Sequence, residues 1–146
     1  MALQFRSRGP YSWLSNFSRH PITMNGLEWP SVEHYFQAMK FPHEPARQER
    51  IRQKRNPLQA KRIAWERGAK VRPGWERLRD RVMLEAVRAK FEQHSELREA
   101  LLETGSQPLV EHSRSDAYWG DGGDGRGKNK LGRILMQIRE EMRAAE

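Results

Sequence analysis

Cysteine is absent from the 146 residues, so disulfides, thiolate metal sites and a cysteine nucleophile are all excluded. Long apolar runs are missing as well. No stretch approaches the ~18 residues a membrane span requires, and the Met1 to Phe5 start lacks the apolar segment of a signal peptide. The cytoplasm is therefore the expected location. Hydrophobic residues make up only 36%, where ~45% is usual. Disorder is the natural reading of so polar a chain, but five Trp, five Phe and three Tyr are spread along its whole length and argue against it. Negative charge is in short supply too: 19 Asp and Glu face 27 Lys and Arg, leaving a net charge of +8. That excess raises the local concentration of anions and favours phosphate or nucleic-acid partners, or else marks a well-solvated arginine-rich surface.

No repeat, low-complexity segment or linker divides the chain, and its length fits one domain, residues 1–146. Asn25-Gly26 lies between Ile22-Thr23-Met24 and Leu27-Glu28-Trp29, a hairpin signal because both central turn residues favour positive φ. Pro30 stops the second strand, and Ser31 can cap a helix running to Phe41. A helix over Pro45 to Lys54 is expected next. Asn56-Pro57 then opens a segment ending at Gly68, and Pro73 starts a long helix to Phe91. Ser95 caps another helix that ends near Thr104-Gly105, and Leu109-Val110 forms a short strand. A glycine-rich loop, Trp119 to Lys128, precedes a last helix capped by Asn129. The fold class is mainly α, an α+β domain with a small antiparallel sheet.

Two places can carry chemistry. On a helix from Ser31 to Phe41, Glu33, Gln37 and Lys40 fall within about 60° of one another at ~100° per residue. Either this stripe decorates the solvent face, or it lines a pocket framed by Trp29 and Phe41. The second place is Asp116 to Gly120 with the loop that follows. Glycine lets main-chain N–H groups approach a ligand, and the N-terminus of the following helix attracts phosphate. There Trp119 either stacks on a base or braces the loop. Trp75, after Pro73-Gly74, is either core or a stacking wall. The Asp121 to Asp124 spacing does not continue into an EF-hand, because position twelve falls on Gly132 or Leu135. Neither GxGxxG nor a P-loop is present. The five histidines show no paired ligand spacing, so no metal site is expected.

More specific are the segments Tyr11 to Phe17 and Trp29-Pro30-Ser31-Val32-Glu33-His34-Tyr35-Phe36-Gln37-Ala38-Met39-Lys40-Phe41. With them go Arg81-Val82-Met83, Lys90-Phe91, Leu101 to Gly105, Leu109 to Glu111, Asp116 to Gly120 and Gly127 to Met136. Together these resemble the YbiA-like family, also called NADAR, in the expected order over nearly the whole chain. The departures are small: Met39 stands where Gln is common and Ser31 where Thr is common.

The resemblance implies a compact, mainly helical fold of the YbiA-like type and an N-glycosidase without a cofactor. Its expected substrate joins a phosphorylated ribose to a nitrogen base. Two such partners are implied: ADP-ribosylated guanine, including guanine in nucleic acid, and the ribosylamino-pyrimidine phosphates of riboflavin biosynthesis. On this basis Lys40 captures C1 of the ribose as a Schiff base, Glu33 transfers the proton and Asp116 holds ribose hydroxyls. Gln37, Asn16, Trp75, Trp119, Gly120, Asn129 and Arg133 bind the substrate. The competing expectations are direct attack by water activated by Glu33, and a non-catalytic module that grips ADP-ribose or nucleic acid.

Overall fold

A computed structural model of the chain describes all residues from Met1 to Glu146. In chain order the elements are β1 (Leu3–Phe5), a 3-10 turn (Ser12–Leu14), β2 (Ile22–Met24), β3 (Leu27–Trp29), α1 (Val32–Ala38), α2 (Pro45–Gln53), α3 (Pro57–Ala64), α4 (Trp75–Gln93), α5 (Ser95–Glu103), β4 (Leu109–Glu111) and α6 (Lys130–Ala144). They divide into two compact units, Arg19–Lys90 and Met1–Ser18 with Phe91–Glu146. The mainly helical α+β class is as expected, and no helix is long and apolar enough to cross a membrane.

In the Arg19–Lys90 unit, β2 and β3 pair antiparallel with Ile22 opposite Trp29. Asn25 (φ 55°) and Gly26 (φ 79°) make the turn, the left-handed pair that matches the twist of a tight hairpin. The next helix, α1, is buried at every residue and packs against α2 and α3. Asn56 starts α3 by accepting from the Leu58 N–H at 2.8 Å, with Pro57 at the first helical position, where a missing N–H costs nothing. This helix stops at Ala64 rather than Gly68. Ile22, Trp29, Val32, Phe36, Phe41, Ile51, Ile63 and Met83 form the core, each fully buried side chain contributing about 1.5–3 kcal/mol.

The expected helix to Phe41 ends earlier, at Ala38. Pro42 cannot continue it, and the chain tightens instead: the Lys40 N–H donates to Gln37 O and the Phe41 N–H to Ala38 O. Carbonyls at a helix end need outside donors. Gln48 Nε2 serves Ala38 O at 3.0 Å, and the Arg72 N–H serves Lys40 O at 2.8 Å. Lys40 is therefore a turn residue just past α1, held by the 67–74 loop.

In the second unit, β1 pairs with β4 in parallel, Leu3 opposite Leu109. This second, parallel sheet was not expected, since three residues leave no readable periodicity; the antiparallel sheet that was expected is the β2–β3 hairpin. Leu131, Ile134, Leu135, Ile138 and Met142 bury one face of α6, which packs on β4 and α5. Gly132 permits that approach: a Cβ there would lie 2.1 Å from Leu109 O. In α5, Ser95 is the first helical residue and His94 takes the cap position, with no side-chain cap bond.

Candidate active site

The start of α1 is fixed by one closed set of hydrogen bonds. Ser31 Oγ accepts from the His34 N–H at 3.2 Å and lies 2.7 Å from His34 Nδ1. His34 Nε2 lies 2.7 Å from the carbonyl of Lys54. A carbonyl can only accept, so Nε2 carries the proton and Nδ1 accepts from the Ser31 hydroxyl. This is a neutral imidazole. Burial holds its pKa below the usual value, against the opposing pull of the Lys54 carbonyl. The network ties the front of α1 to the end of α2.

That stripe is Glu33, Gln37 and, beyond the helix end, Lys40. They are 6%, 3% and 8% exposed, so the solvent-face alternative fails. Gln37 Nε2 donates to Glu33 Oε2 at 2.5 Å. Only the amide nitrogen can donate to a carboxylate, so Gln37 Oε1 must point away, and it has no hydrogen-bond partner in the protein. A buried acceptor left unpaired costs about 1–3 kcal/mol. Such a cost is expected where a ligand supplies the missing donor, such as a hydroxyl or a base N–H.

Burial lowers the pKa of the Lys40 amine. Glu33 pulls it back up, while Lys61 and Arg79 push it down further, and the net shift is downward. A lysine lowered in this way spends more time as the neutral amine, the form that attacks carbon. Lys40 Nζ lies 5.9 Å from the centre of the Phe36 ring and 5.0 Å from that of Trp65. Trp75 packs behind Phe36, ring centres 5.1 Å apart. Trp75 is as buried as Lys40 itself, which fits both the core and the stacking-wall expectation.

The residues expected from the second unit are organised differently. Asp116 Oδ1 accepts from the N–H groups of Tyr118 (3.0 Å) and Trp119 (2.8 Å). Its second oxygen has no protein partner and remains an acceptor for a hydroxyl. Trp119 is half-buried, edge-on to Tyr118 at 4.9 Å.

Several amides of the glycine-rich loop turn inward to the loop itself rather than outward as a phosphate cradle would. Gly122 N–H goes to Asp116 O, Gly127 N–H to Asp121 O and Lys128 N–H to Ala117 O. The N-terminus of α6 is also occupied, because Asn129, Lys130 and Leu131 donate to the carbonyls of Gly120, Tyr118 and Trp119. Asn129 does not cap the helix with its side chain. It adopts φ 51°, accepts from the Glu111 N–H at 2.9 Å and donates to Leu109 O at 2.9 Å. Its amide is thus committed to β4 and not offered to phosphate.

Glycine at 120 and 127 has a structural cause, since a Cβ would meet main-chain oxygen at 2.9 and 2.5 Å respectively. Positive charge near this loop comes from Lys128 and Lys130, whose Nζ atoms lie 5.4 and 5.8 Å from the Tyr118 ring centre. Arg133 is exposed on α6, and Asn16 is buried just after the 3-10 turn.

Several residues with chemical interest were not singled out from the sequence. Trp65 is the clearest, and its signal is a tryptophan in the otherwise polar run Trp65-Glu66-Arg67. Lys61 and Arg79 matter through their charge on Lys40. Lys90 is completely buried, its pKa pushed down by burial to about 7. Its spacing from Met83 and Val87 places it on the buried face of α4.

Comparison with known proteins adds an independent line. The model of the NADAR domain matches residues 4–143. The chain is similar to N-glycosidase YbiA of Escherichia coli, 51% identical over 132 residues that cover 90% of this chain and 82% of that protein. It is 40% identical to N-glycosidase Npun_R5314 of Nostoc punctiforme over 136 residues, 92% of this chain and 87% of that one. It is also 46% identical over 132 residues to riboflavin biosynthesis protein VVA0006 of Vibrio vulnificus, where the match covers 90% of this chain and 36% of the longer protein. The NMR structure of the E. coli protein YbiA superposes with a TM-score of 0.88 at 45% identity, covering 99% of this chain and 88% of that one.

Proposed function

The chain belongs to the NADAR family, and from that premise we propose that residues 1–146 act as one catalytic domain that hydrolyses the N-glycosidic bond between a phosphorylated ribose and a nitrogen base. The relatives named N-glycosidase support the reaction class. The observation that carries the mechanism is the buried Lys40 amine, its pKa lowered, next along the chain from the Glu33–Gln37 pair.

Three groups divide the work. Glu33, ionised beside the Lys40 ammonium at rest, takes its proton and passes it to the leaving nitrogen as the C1–N bond breaks, so that Lys40 is left as the free amine and the base departs neutral. The Lys40 Nζ lone pair forms the new bond to C1. Nζ then loses a proton and the bond between C1 and the ring oxygen breaks as that oxygen takes one up, giving a Schiff base on the opened ribose. Water adds to that carbon, the amine is expelled, and the sugar closes again. The sum is one water consumed, one base and one ribose phosphate released. Gln37 Oε1, with no partner in the protein, accepts from a ribose hydroxyl and orients it.

The substrate is an N-ribosyl compound carrying phosphate, for which the net charge of +8 is suited. Two carriers fit: ADP-ribosylated guanine, free or in nucleic acid, and a ribosylamino-pyrimidine phosphate. The name of the Vibrio relative supports the second, and the basic surface leans toward the first. The deciding experiment incubates the protein with each class in parallel and follows released base by mass spectrometry, with Lys40→Ala as control. Release from one class, abolished in the variant, supports the reading. Tight binding of ADP-ribose or nucleic acid with no base released by the unaltered protein would replace it with a non-catalytic binding module.

A further inference from the structure

Trp65 is 72% exposed, an unusual setting for the largest apolar side chain. Its indole N–H donates to no group in the protein. The main chain beneath it is not loose. The Trp65 N–H closes the end of α3 on the carbonyls of Arg62 and Ile63. The next residue, Glu66, is gripped by Arg47 at 2.8 Å and by Arg50 at 2.9 and 2.8 Å. The fold therefore fixes where the ring starts and then leaves its surface in water. The neighbour that this ring does have is the Lys40 amine, 5.0 Å from its centre.

A reacting C1 comes within about 3–3.5 Å of the attacking nitrogen. The base of the substrate is bonded to that same carbon. Nζ, C1 and the base then lie within a few ångströms of one another, and the ring beside Nζ turns an exposed π-face toward solvent where a planar base can be received. We propose that Trp65 is a stacking platform for the base and so a specificity-determining residue of the Lys40 site. This rests on Lys40 being the group that attacks C1.

Base–aromatic stacking is sequence-tolerant, because every nucleobase has a π-face, and losing it weakens binding by roughly tenfold or more. Trp65 therefore selects for planar heterocyclic leaving groups as a class and leaves the choice among them to hydrogen-bonding groups such as Gln37 Oε1.

The test compares the unaltered protein with Trp65→Ala, Trp65→Leu and Trp65→Phe. Leucine keeps apolar cover over Lys40 but has no π-face, so it carries the test should the alanine variant fold poorly. KM and kcat are measured for base release from an ADP-ribosylated guanine oligonucleotide and from a ribosylamino-pyrimidine phosphate. Inhibition by ribose 5-phosphate, which has no base, is measured alongside. The expectation is a KM raised about tenfold or more by Ala and Leu, with kcat within about threefold, and recovery in Phe. Ribose 5-phosphate should inhibit all four equally. An unchanged KM in Ala and Leu, a loss confined to kcat, or a parallel loss of ribose 5-phosphate inhibition would each overturn the assignment. If the unaltered protein releases no base from either substrate, the hydrolase reading falls first and takes this one with it.

Discussion

Replacing Glu33 by glutamine removes the transferable proton while keeping the shape of the side chain. In Glu33→Gln the new amide oxygen can still accept from Gln37 Nε2, so the 2.5 Å hydrogen bond has a substitute and α1 stays packed. Loss of a positioned proton donor costs roughly 10²- to 10⁴-fold in rate, which is about 2.7–5.5 kcal/mol of barrier. Glu33→Ala adds a second penalty, because Gln37 then has both ends of its buried amide unpaired. That orphan donor costs about 1–3 kcal/mol of stability, roughly 3–9 °C of Tm in a chain of this size.

The pair should therefore separate. Both lose activity, but only the alanine variant melts early. A second readout comes from the pH profile. Glu33 raises the Lys40 pKa, so without that charge the amine sheds its proton at lower pH. The rising limb of kcat should then move toward acid in Glu33→Gln. Steady-state base release between pH 5 and pH 9 and a thermal melt of each variant measure both effects. Activity of Glu33→Gln within about threefold of the unaltered protein, or a rising limb moved toward alkali, would refute the role of Glu33 and its coupling to Lys40.

Lys61→Gln should do the reverse to the profile: Lys61 lowers the Lys40 pKa, so its removal moves the rising limb toward alkali, as the same pH series will read. Ser31→Ala removes a helix cap worth about 1 kcal/mol and leaves His34 Nδ1 without its donor, a further ~1–3 kcal/mol; a melt should fall by roughly 5–15 °C. Acid acts on the same site in the unaltered protein. His34 is held below its ordinary value of 6.5, so the unfolded chain takes up that proton first. The contribution of a neutral His34 is thus complete above about pH 6.5 and declines below it, which denaturant midpoints at pH 7.5 and pH 5 would show. Gly132→Ala puts a methyl 2.1 Å from Leu109 O; overpacking of about 1–3 kcal/mol should lower the Tm, and an unchanged melt would contradict the close approach of α6 to β4.

Local chemistry was legible where one or two residues decide the outcome. Asn25-Gly26 announced the hairpin because few pairs tolerate two positive φ values, and Ser31 and Asn56-Pro57 announced helix starts for equally local reasons. The end of α1 was harder. The sequence carries Pro42 as a stop, but the place of the stop depends on Gln48 and Arg72 arriving from elsewhere to take the last carbonyls. Lys40 consequently moves from helix to turn without leaving the neighbourhood of Glu33. Asn129 and the glycines around it read as a ligand-binding loop because glycine and asparagine serve two purposes. Here their main chain and amide are consumed by β4 and by the loop itself, a tertiary fact with no local signature. Strand β1 is too short for a pattern, and Trp65 passed unnoticed because exposure is a property of the folded chain.

Lys40 bonding to C1 is the step on which the proposed reaction rests. Borohydride added during turnover, followed by peptide mapping, tests that bond directly. A reduced ribosyl adduct is expected on the peptide carrying Lys40, absent from Glu33→Gln and from controls without substrate. Rapid base release under the same conditions with an unmodified Lys40 peptide would contradict it and leave water, activated by Glu33, as the attacking group.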